Sequence, residues 1–241
     1  MAVDYFDGSE LFARVARELA EQVDLPQTLK RICELAAQLT GASTVAIWSL
    51  SPGGRVTVQA STDEQTGRSL DHILRMVGEG VACEVLASRG QITMTDRRAE
   101  TRWPRYRAAL EDRRLGICSA LGFSLELAGR QLGALVLYSS QPHYFTDQVR
   151  QVASVLAEHA SIALDAAIAT NQNQNLQQAL QSNRRIGMAM GILIALHHLE
   201  ERQAFDLLRV ASQNTHTKLR DVAEEVILTG AVPACQVRQP A

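Results

Sequence analysis

Residues 179–194 read ALQSNRRIGMAMGILI, and this stretch organises the C-terminal part of the chain. Its apolar residues recur at the spacing of an amphipathic helix: Leu180, Ile186, Met190, Leu193 and Ile194. Gly187 and Gly191 lie four residues apart, on one face of that helix. Each glycine costs about 1 kcal/mol relative to alanine in a helix interior. We therefore predict that another helix packs closely against the glycine face.

Two further helices are predicted after this one. Apolar periodicity indicates an amphipathic helix over Arg202–Asn214 and another over Thr217–Thr229, which Gly230 closes. On periodicity alone, the three helices form a small bundle and the paired glycines are a packing detail of that bundle. Helical periodicity does not by itself indicate RNA binding.

Sequence motifs in these three helices are more specific than their periodicity. The motifs ALQSNRRIGMAMGIL (179–193), AFDLLRVASQ (204–213) and KLRDVAEEV (218–226) together resemble an ANTAR domain, over Leu176–Gly230. ANTAR domains are the three-helix RNA-binding output modules of transcription antitermination regulators. The resemblance implies binding to paired hairpins in a nascent leader RNA, which stops a terminator from forming.

Basic residues of the three helices are the candidate RNA-binding residues: Arg184, Arg185, Arg202, Arg209, Lys218 and Arg220. Arginine binds phosphate well and stacks on unpaired bases. Many ANTAR sequences carry a basic residue where this chain has Met190 or Leu196, and arginine where it has Asn183. These departures favour weaker affinity, reliance on dimer avidity or an altered RNA preference. They also fit a bundle that contacts protein.

Charge differs only slightly between the two parts of the chain. Residues 1–170 carry 17 Lys and Arg against 20 Asp and Glu, whereas residues 171–241 carry 7 against 6. A nucleic-acid-binding module usually has a clear basic excess. The small excess here weakens the RNA interpretation and predicts modest affinity.

Composition indicates a chain of one larger and one smaller domain, since its 241 residues are 46% hydrophobic. The N-terminal sequence MAVDYFDGSE lacks the basic and apolar regions of a signal peptide. No uncharged apolar run approaches the roughly 18 residues that cross a bilayer. The four cysteines are scattered, which argues against zinc sites and a disulfide scaffold. We expect a cytoplasmic protein that does not contact membranes.

Residues 9–139 change from helical to strand periodicity. Helices are predicted within 9–40, with Pro26 near the start of the second and Gly41 as its C-cap. Two β-rich runs around Ser51-Pro-Gly-Gly54 predict a hairpin, Thr44–Leu50 and Arg55–Ala60. The remaining elements are short helices and three strands: helices over 68–90, strand 91–95, a loop and helix over 96–114, and strands 117–127 and 131–139. This order predicts an antiparallel sheet with helices packed on it, an α+β fold.

Four motifs in this part resemble a GAF domain over residues 25–165: GASTVAIW (41–48), TDRRAETRWP (95–104), GRQLGALVLYS (129–139) and YFTD (144–147). GAF domains sense ligands or other signals. The resemblance implies that the domain responds to a small molecule or a protein, which the sequence does not identify. Some GAF domains reduce free methionine sulfoxide through paired cysteines, but the residues around Cys83 and Cys118 do not reproduce that catalytic pattern.

A long helix is predicted between these two parts, beginning at Asp147 after the N-cap Thr146. Small and branched apolar residues recur along it at spacings of three and four: Val149, Val152, Leu156, Ala160, Ala163 and Ala167. This heptad-like seam predicts a homodimeric coiled coil through residues 147–170. The open alternative is a helix that packs on its own domain. The polar run 170–175 has no apolar face and is predicted to be a weak helix that can kink.

Candidate catalytic and metal-binding residues are few. His197 and His198 lack acidic or cysteine partners at ligand spacing, so a capping or surface role is favoured. Glu79 is a lone carboxylate between two glycines and is interpreted as a turn residue. The arginines at 97, 98, 102, 105 and 107 form either a solvated face or the rim of an anion pocket. We predict no catalytic residues, no metal and no cofactor, and therefore no enzyme. The redox activity of Cys83 and Cys118 remains open.

The predicted organisation has five parts: an N-terminal helix (1–24), a GAF-like sensor domain (25–165), its last helix continuing as a coiled-coil linker (147–170), an ANTAR-like RNA-binding domain (171–230) and a tail (231–241). The predicted function is a signal-responsive transcription antitermination regulator that binds hairpins in leader RNA. The alternative is a GAF-based ligand or redox sensor whose C-terminal bundle contacts protein rather than RNA.

Overall fold

The computed structural model describes residues 13, 15–19, 22 and 24–233 and divides into two compact units, 1–171 and 172–241. The predicted N-terminal helix is described in part: residues 15–19 are helical, and Val15 and Leu19 are buried. The rest of that helix, together with the tail beyond 233 and its Cys235, lies outside the described residues.

The first complete helix, α1 (Leu25–Thr40), has the caps that the sequence predicts. The Asp24 carboxylate accepts a hydrogen bond of 2.8 Å from the amide of Gln27, which satisfies one of the free N–H groups at the helix start. Pro26 lies in the first turn, where its missing N–H costs least. Gly41 ends the helix in the left-handed region, at φ 69°.

Five strands form one antiparallel sheet in the order β2-β1-β5-β4-β3. The strands are β1 (Thr44–Leu50), β2 (Val56–Ser61), β3 (Gln91–Met94), β4 (Ser119–Leu127) and β5 (Arg130–Ser139). All five match predicted strands within two residues at each end. The α+β prediction is therefore confirmed.

Alternation along the strands gives the sheet two buried faces. On one face, Ile47, Leu135 and other strand residues join α1 and the first part of the long helix. On the other face, Trp48, Val136 and their neighbours pack under three short helices: α2 (Glu64–Val77), α3 (Val81–Ser88) and α4 (Pro104–Asp112). The unit is thus a sheet with a helical layer on each side.

Glu79 connects two of the short helices. Its Oε1 accepts hydrogen bonds from the amides of Arg105 and Tyr106, at 2.6 and 3.0 Å, and so caps the start of α4. Gly80 has φ 135°, and a Cβ there would lie 2.9 Å from the ring of Tyr106. Glu79 is therefore a long-range helix cap rather than only the turn residue that we predicted.

A single helix of 51 residues, α5 (Asp147–His197), follows the sheet. The polar run 170–175, predicted to be a weak helix that can kink, is helical throughout. Asparagine and glutamine lower helix stability only modestly, and extending a formed helix is far easier than nucleating a new one. The predicted first ANTAR helix is consequently the C-terminal part of α5.

The heptad-like seam predicted for dimerisation lies largely inside the N-terminal unit. Leu156 and Ala160 are 1% and 0% exposed, and Val149 and Ala163 pack against the same core. These residues therefore follow the alternative interpretation, a helix packed on its own domain. On a different face of α5, Ile162 is 56% exposed, and Ala166 and Ala169 are also exposed.

Helix α5 is long and apolar enough, by composition, to cross a membrane. Its apolar face in the N-terminal unit belongs to the core under the sheet, through Leu156, Ala160 and Leu164. Asp165 of the same helix pairs with Arg130 of β5. We therefore describe α5 as a core helix of the fold.

Two short helices, α6 (Glu201–Thr215) and α7 (Leu219–Thr229), complete the C-terminal unit. Both lie within two residues of the predicted bounds. Gly230 closes α7 in the left-handed region at φ 71°, as predicted.

Candidate nucleic-acid interface

The C-terminal unit is a three-helix bundle built on small and branched residues. Its fully buried core comes from all three helices: Ala189, Leu193, Ala204, Leu208, Ala211, Val222, Ala223 and Val226. Alanine at four of these eight positions lets the helices approach closely while leaving most other side chains on the surface. The bundle therefore presents its polar residues outward on a compact frame.

The turns between these helices are defined by local caps. Glu200 and Gln203 form a capping box at the start of α6, in which each side chain binds the other residue's backbone N–H. His198 and His216 adopt left-handed conformations, at φ 53° and 54°, directly after α5 and α6. In the part of the chain that is described, no group of His, Cys, Asp and Glu is placed to hold a metal ion.

All six candidate RNA-binding residues are exposed, and three of them lie beside carboxylates. These pairs are Arg185 with Glu224 at 2.9 Å, Arg209 with Asp206 at 3.1 Å and Arg220 with Asp221 at 3.2 Å. The Arg185 contact lacks the alignment of a hydrogen bond. Exposed pairs of this kind contribute at most about 1 kcal/mol, so an RNA phosphate can replace the carboxylate.

The other three candidates are Arg184, Arg202 and Lys218. Within the described residues, none of them has a carboxylate within 4.0 Å. Lys218 immediately precedes α7, where the free N–H groups of a helix start also favour an anion. These three cations need break no ion pair to contact phosphate.

An open groove of about 860 Å³ runs between the C-terminal part of α5 and the starts of α6 and α7. Its apolar walls come from Ile186, Met190, Phe205 and Leu219. Polar groups stand on its rim: Asn183, Glu200, Glu201 and Arg202. The structure therefore brings Arg202 together with Asn183, whereas Arg185 is drawn towards Glu224 of α7.

The glycine prediction is wrong for this chain. A Cβ at Gly187 or Gly191 would meet nothing within 4 Å outside its own helix backbone, and both residues are exposed. No described helix packs against them, because the bundle core uses Ala189 and Leu193 on another face of α5. Gly187 instead lines the groove.

The sequence did not single out Phe205, which lines the groove. It follows the buried Ala204 but is itself 39% exposed in the groove wall. The helical period indicates that Phe205 is not a core residue, since Ala204, Leu208 and Ala211 form the buried stripe of α6 and Phe205 lies beside it.

Three arginines of the cluster over 97–107 are hydrogen-bonded within the fold. Arg102 donates to Glu100 and to the carbonyl of Thr93, at 2.7 and 2.6 Å, and lies 4.2 Å from the ring centre of Trp103. The side-chain hydrogen bond from Arg102 lowers the pKa of Glu100. Two others reach backbone carbonyls: Arg105 that of Met76 and Arg107 that of Glu100. These three side chains fasten loops and helix ends.

Buried aromatic residues lie among the aliphatic core between the sheet and α2–α4. Trp48, Tyr106 and Tyr138 are at most 1% exposed. Burial raises the pKa of both tyrosines, which therefore stay protonated. Burial also raises the pKa of the Cys33 thiol to about 12 and shifts that of Cys83 upward. Neither thiol is thus primed as a thiolate nucleophile.

Comparison with protein families decides the identity of the larger unit. A GAF domain model matches residues 22–165, well over half of the chain. The chain belongs to the GAF domain family. An ANTAR domain model matches residues 174–227, so the GAF domain is followed by an ANTAR domain. This pairing confirms the resemblances noted above and implies a signal-responsive, RNA-binding antitermination regulator.

Solved structures share the GAF fold at low sequence identity. The GAF domain of a phosphoenolpyruvate-protein phosphotransferase from Coxiella burnetii is 17% identical, with TM-score 0.55, over 68% of this chain and 96% of that one. The corresponding domain from Acinetobacter is 17% identical, with TM-score 0.50, over 67% and 95%. The chromophore-binding domain of a bacteriophytochrome from R. palustris is 12% identical, with TM-score 0.52, over 71% and 64%. No curated protein sequence matches.

The GAF–ANTAR architecture is typical of regulators that are not enzymes. GAF domains also occur within enzymes, as the phosphotransferases show. At these identities the solved structures establish the fold alone.

Proposed function

We propose that this protein is a transcription antitermination regulator that binds hairpins in nascent leader RNA under the control of its GAF domain. The observation that carries the proposal is an ANTAR domain over residues 174–227, directly after a GAF domain in one chain. In this proposal the GAF domain (25–165) responds to a small molecule or a protein, without catalysis, and the ANTAR domain (171–230) binds RNA. The protein acts in the cytoplasm.

The proposed RNA contacts are the six exposed cations. Arg184, Arg202 and Lys218 provide the first contacts because they are not held by carboxylates within the described residues. The second set, Arg185, Arg209 and Arg220, contributes once RNA phosphates displace the neighbouring carboxylates. Phosphate contacts release counterions, so binding weakens steeply as salt rises.

Affinity for a single hairpin is expected to be modest. Met190 lines the groove and Leu196 is 58% exposed, so neither position supplies the basic residue found in many ANTAR sequences. Avidity compensates for a weak single contact when two bundles bind one transcript. This argument requires two copies of the chain.

We propose a homodimer through residues 147–170, using the exposed face of α5 rather than the seam first predicted. Exposed apolar residues recur there at spacings of four and three: Ile162, Ala166 and Ala169. Asn173 interrupts this stripe, which resumes at Leu176 and Leu180, 60% and 61% exposed. Such a heptad stripe fits a two-stranded coiled coil. The RNA and the second copy are the proposed partners.

Sequencing the RNA that copurifies with the tagged protein tests this function. Enrichment of leader transcripts that carry two neighbouring hairpins and a terminator supports it. A variant with Arg184, Arg202 and Lys218 all changed to alanine is the matched control, because these substitutions remove no described ion pair. Equal RNA recovery from both proteins, or none from the wild type, would reject RNA binding by this surface.

One observation favours the alternative, a bundle that contacts protein. Leu207 and Val210 are 41% and 43% exposed on α6, outside the groove, and Leu228 is 77% exposed on α7. Exposed apolar residues are common on protein-binding surfaces. Recovery of a specific protein in place of RNA in the same purification would favour this alternative.

A further inference from the structure

The β4–β5 hairpin contacts helices on both sides of the sheet. Its strands join at the turn Ala128–Gly129, where both residues are in the left-handed region, at φ 51° and 77°. Successive side chains of a strand point to opposite faces, so neighbouring residues after the turn reach different helices. Gln131 contacts α3, whereas Arg130 contacts α5. The hairpin therefore connects a short helix of one layer with the long helix of the other.

Two hydrogen bonds attach the hairpin to the C-terminal end of α3. The Gln131 side chain donates to the carbonyl of Leu86 at 3.0 Å. Arg89, the C-cap residue of α3, donates to the carbonyl of Gly129 at 3.4 Å. Hydrogen bonds hold only to about 3.5 Å. A displacement of this end of α3 therefore either breaks these bonds or moves the hairpin with it.

Two further contacts attach the hairpin to α5. The register of β4 and β5 shifts between Leu125 and Glu126, an irregularity that locally disrupts the strand ladder. At this point the amide of Glu126 donates to the hydroxyl of Ser161 at 3.2 Å. Ser161 is 4% exposed, so this bond is shielded from water. On the other strand, Arg130 pairs with Asp165, about one helical turn after Ser161.

These attachment points lie beside the exposed apolar stripe of α5. Ser161 and Asp165 immediately precede Ile162 and Ala166, the first two residues of the stripe proposed for dimerisation. The faces of a helix turn together, so a rotation imposed at residues 161 and 165 also redirects residues 162 and 166. The hairpin therefore contacts α5 where a small movement alters the proposed dimer surface.

We propose that the β4–β5 hairpin transmits displacements of α3 to α5 and thereby controls dimerisation through Ile162 and Ala166. The inference rests on the homodimer of the proposed function and specifies how a signal in the GAF domain reaches its surface. Gln131 is the attachment to α3, and Ser161 and Asp165 are the attachments to α5.

Gln131→Ala tests the transmission, with Gln59→Ala as the matched control. Gln59 is also a strand glutamine, but it donates to the hydroxyls of Ser49 and Thr57, at 2.8 and 3.0 Å, within the β1–β2 hairpin. We expect Gln131→Ala to speed hydrogen exchange over residues 157–168 roughly 2- to 10-fold, the effect of one lost hydrogen bond. Gln59→Ala should change it less than about twofold. Mass spectrometry measures exchange, with the amides of α1 as the reference for global unfolding.

Dimerisation should weaken by the same factor in Gln131→Ala. A less firmly held α5 loses more conformational freedom when it pairs with a second copy, and this loss opposes association. Light scattering over a dilution series gives the dissociation constant of the dimer. Faster exchange in α5 with an unchanged dissociation constant would reject control of the dimer surface.

Removing the attachments on α5 distinguishes transmission from simple destabilisation. In a protein that carries Ser161→Ala and Asp165→Asn, adding Gln131→Ala should have no further effect on exchange in α5, because the connection is already broken. Asp165→Asn keeps the shape of its side chain. By itself it should reduce the effect of Gln131→Ala, which keeps the test valid if Ser161→Ala disturbs the fold.

The outcomes separate this inference from the function on which it rests. Equal exchange in α5 for Gln131→Ala and Gln59→Ala would reject transmission through the hairpin. So would an effect of Gln131→Ala that is the same with and without the α5 attachments. A wild type that is monomeric at every concentration would reject the dimer of the proposed function, whereas the exchange measurements would still test the connection from α3 to α5.

Discussion

Three arginines of the GAF domain and two of the ANTAR domain differ in what they contact. In the GAF domain, Arg102, Arg105 and Arg107 donate to backbone carbonyls, and Arg102 also pairs with the buried Glu100. In the ANTAR domain, Arg184 and Arg202 have no carboxylate within 4.0 Å among the described residues. The residue type is the same, but the GAF arginines stabilise the fold, whereas the two ANTAR arginines can bind a ligand without breaking a described ion pair.

The glycines show the same contrast. In the sheet, a Cβ at Gly133 would lie 2.5 Å from the carbonyl oxygen of Trp48, and one at Gly122 would lie 2.6 Å from Val85. In the bundle, a Cβ at Gly187 or Gly191 would meet nothing within 4 Å. The first two glycines permit close packing within the fold. The other two leave a surface open.

Helix α5 has one face buried in its own domain and another with exposed apolar residues. The largest expected effect comes from substitutions on the exposed face. Ile162→Glu together with Ala166→Glu should convert the dimer to a monomer, because two charges from each chain would be buried in the proposed coiled coil. Avidity would be lost, and affinity for RNA with two hairpins should fall by about 100-fold or more. Light scattering and RNA titration measure both effects.

Met76→Glu is the matched control for dimerisation, since Met76 is 67% exposed on α2, away from α5. It should remain a dimer. Survival of the dimer in the doubly substituted α5 variant would show that this face is not the interface.

Arg102→Ala removes an arginine that is hydrogen-bonded within the GAF domain. It should destabilise this domain by about 2 kcal/mol. The substitution leaves the 9% exposed Glu100 without its strongest hydrogen-bond donor. Urea denaturation followed by far-UV circular dichroism gives the free energy of unfolding. Arg184→Ala is the control and should unfold like the wild type, and an equal loss in both variants would remove the distinction drawn above.

Arg184→Ala removes an arginine of the ANTAR domain that has no described ion pair. It should lower RNA affinity without changing the free energy of unfolding. Removing one phosphate contact should reduce the slope of log affinity against log salt by about 1. Arg209→Ala should have a smaller effect, because Asp206 already holds that side chain at 3.1 Å. Filter binding over a salt series distinguishes the two. Arg184→Ala and Arg209→Ala should each lose more affinity for an RNA with two hairpins than for an RNA with one hairpin.

The smallest expected effect concerns pH. The lowered pKa of Glu100, caused chiefly by Arg102, adds stability that is fully present above the ordinary value of 4.5. That stability is lost as pH falls through the lowered value in the folded protein. The wild type should therefore lose more stability on acidification than Arg102→Ala. Urea denaturation measures the free energy of unfolding from neutral to acid pH. An equal loss in the wild type and in Arg102→Ala would contradict this assignment.

Much of the fold followed from local sequence signals. Asp24, Pro26 and Gly41 mark the ends of α1, and period-two alternation marks the strands, since caps and alternation act over a few residues. The three ANTAR helices were located by the same kind of evidence. The polar run 170–175 is helical despite its low propensity, because extending a formed helix is easier than nucleating one.

The candidate RNA cations could be named from sequence, but their availability could not. Arg184 and Arg185 are adjacent in the chain, yet only Arg185 meets Glu224 of another helix. Likewise, nothing local distinguishes Leu156, buried in the core, from Ile162, exposed on another face. A sequence period shows that a helix has an apolar face without showing whether that face meets its own domain.

Sequence alone was therefore sufficient for element types, the α+β class and the GAF–ANTAR order, because backbone caps, periodicity and motifs are local. The tertiary structure was needed to show which residues of α5 are exposed, which arginines are bonded and where the groove beside Phe205 opens. These properties depend on side chains distant in sequence, which meet only after the helices and sheet have packed.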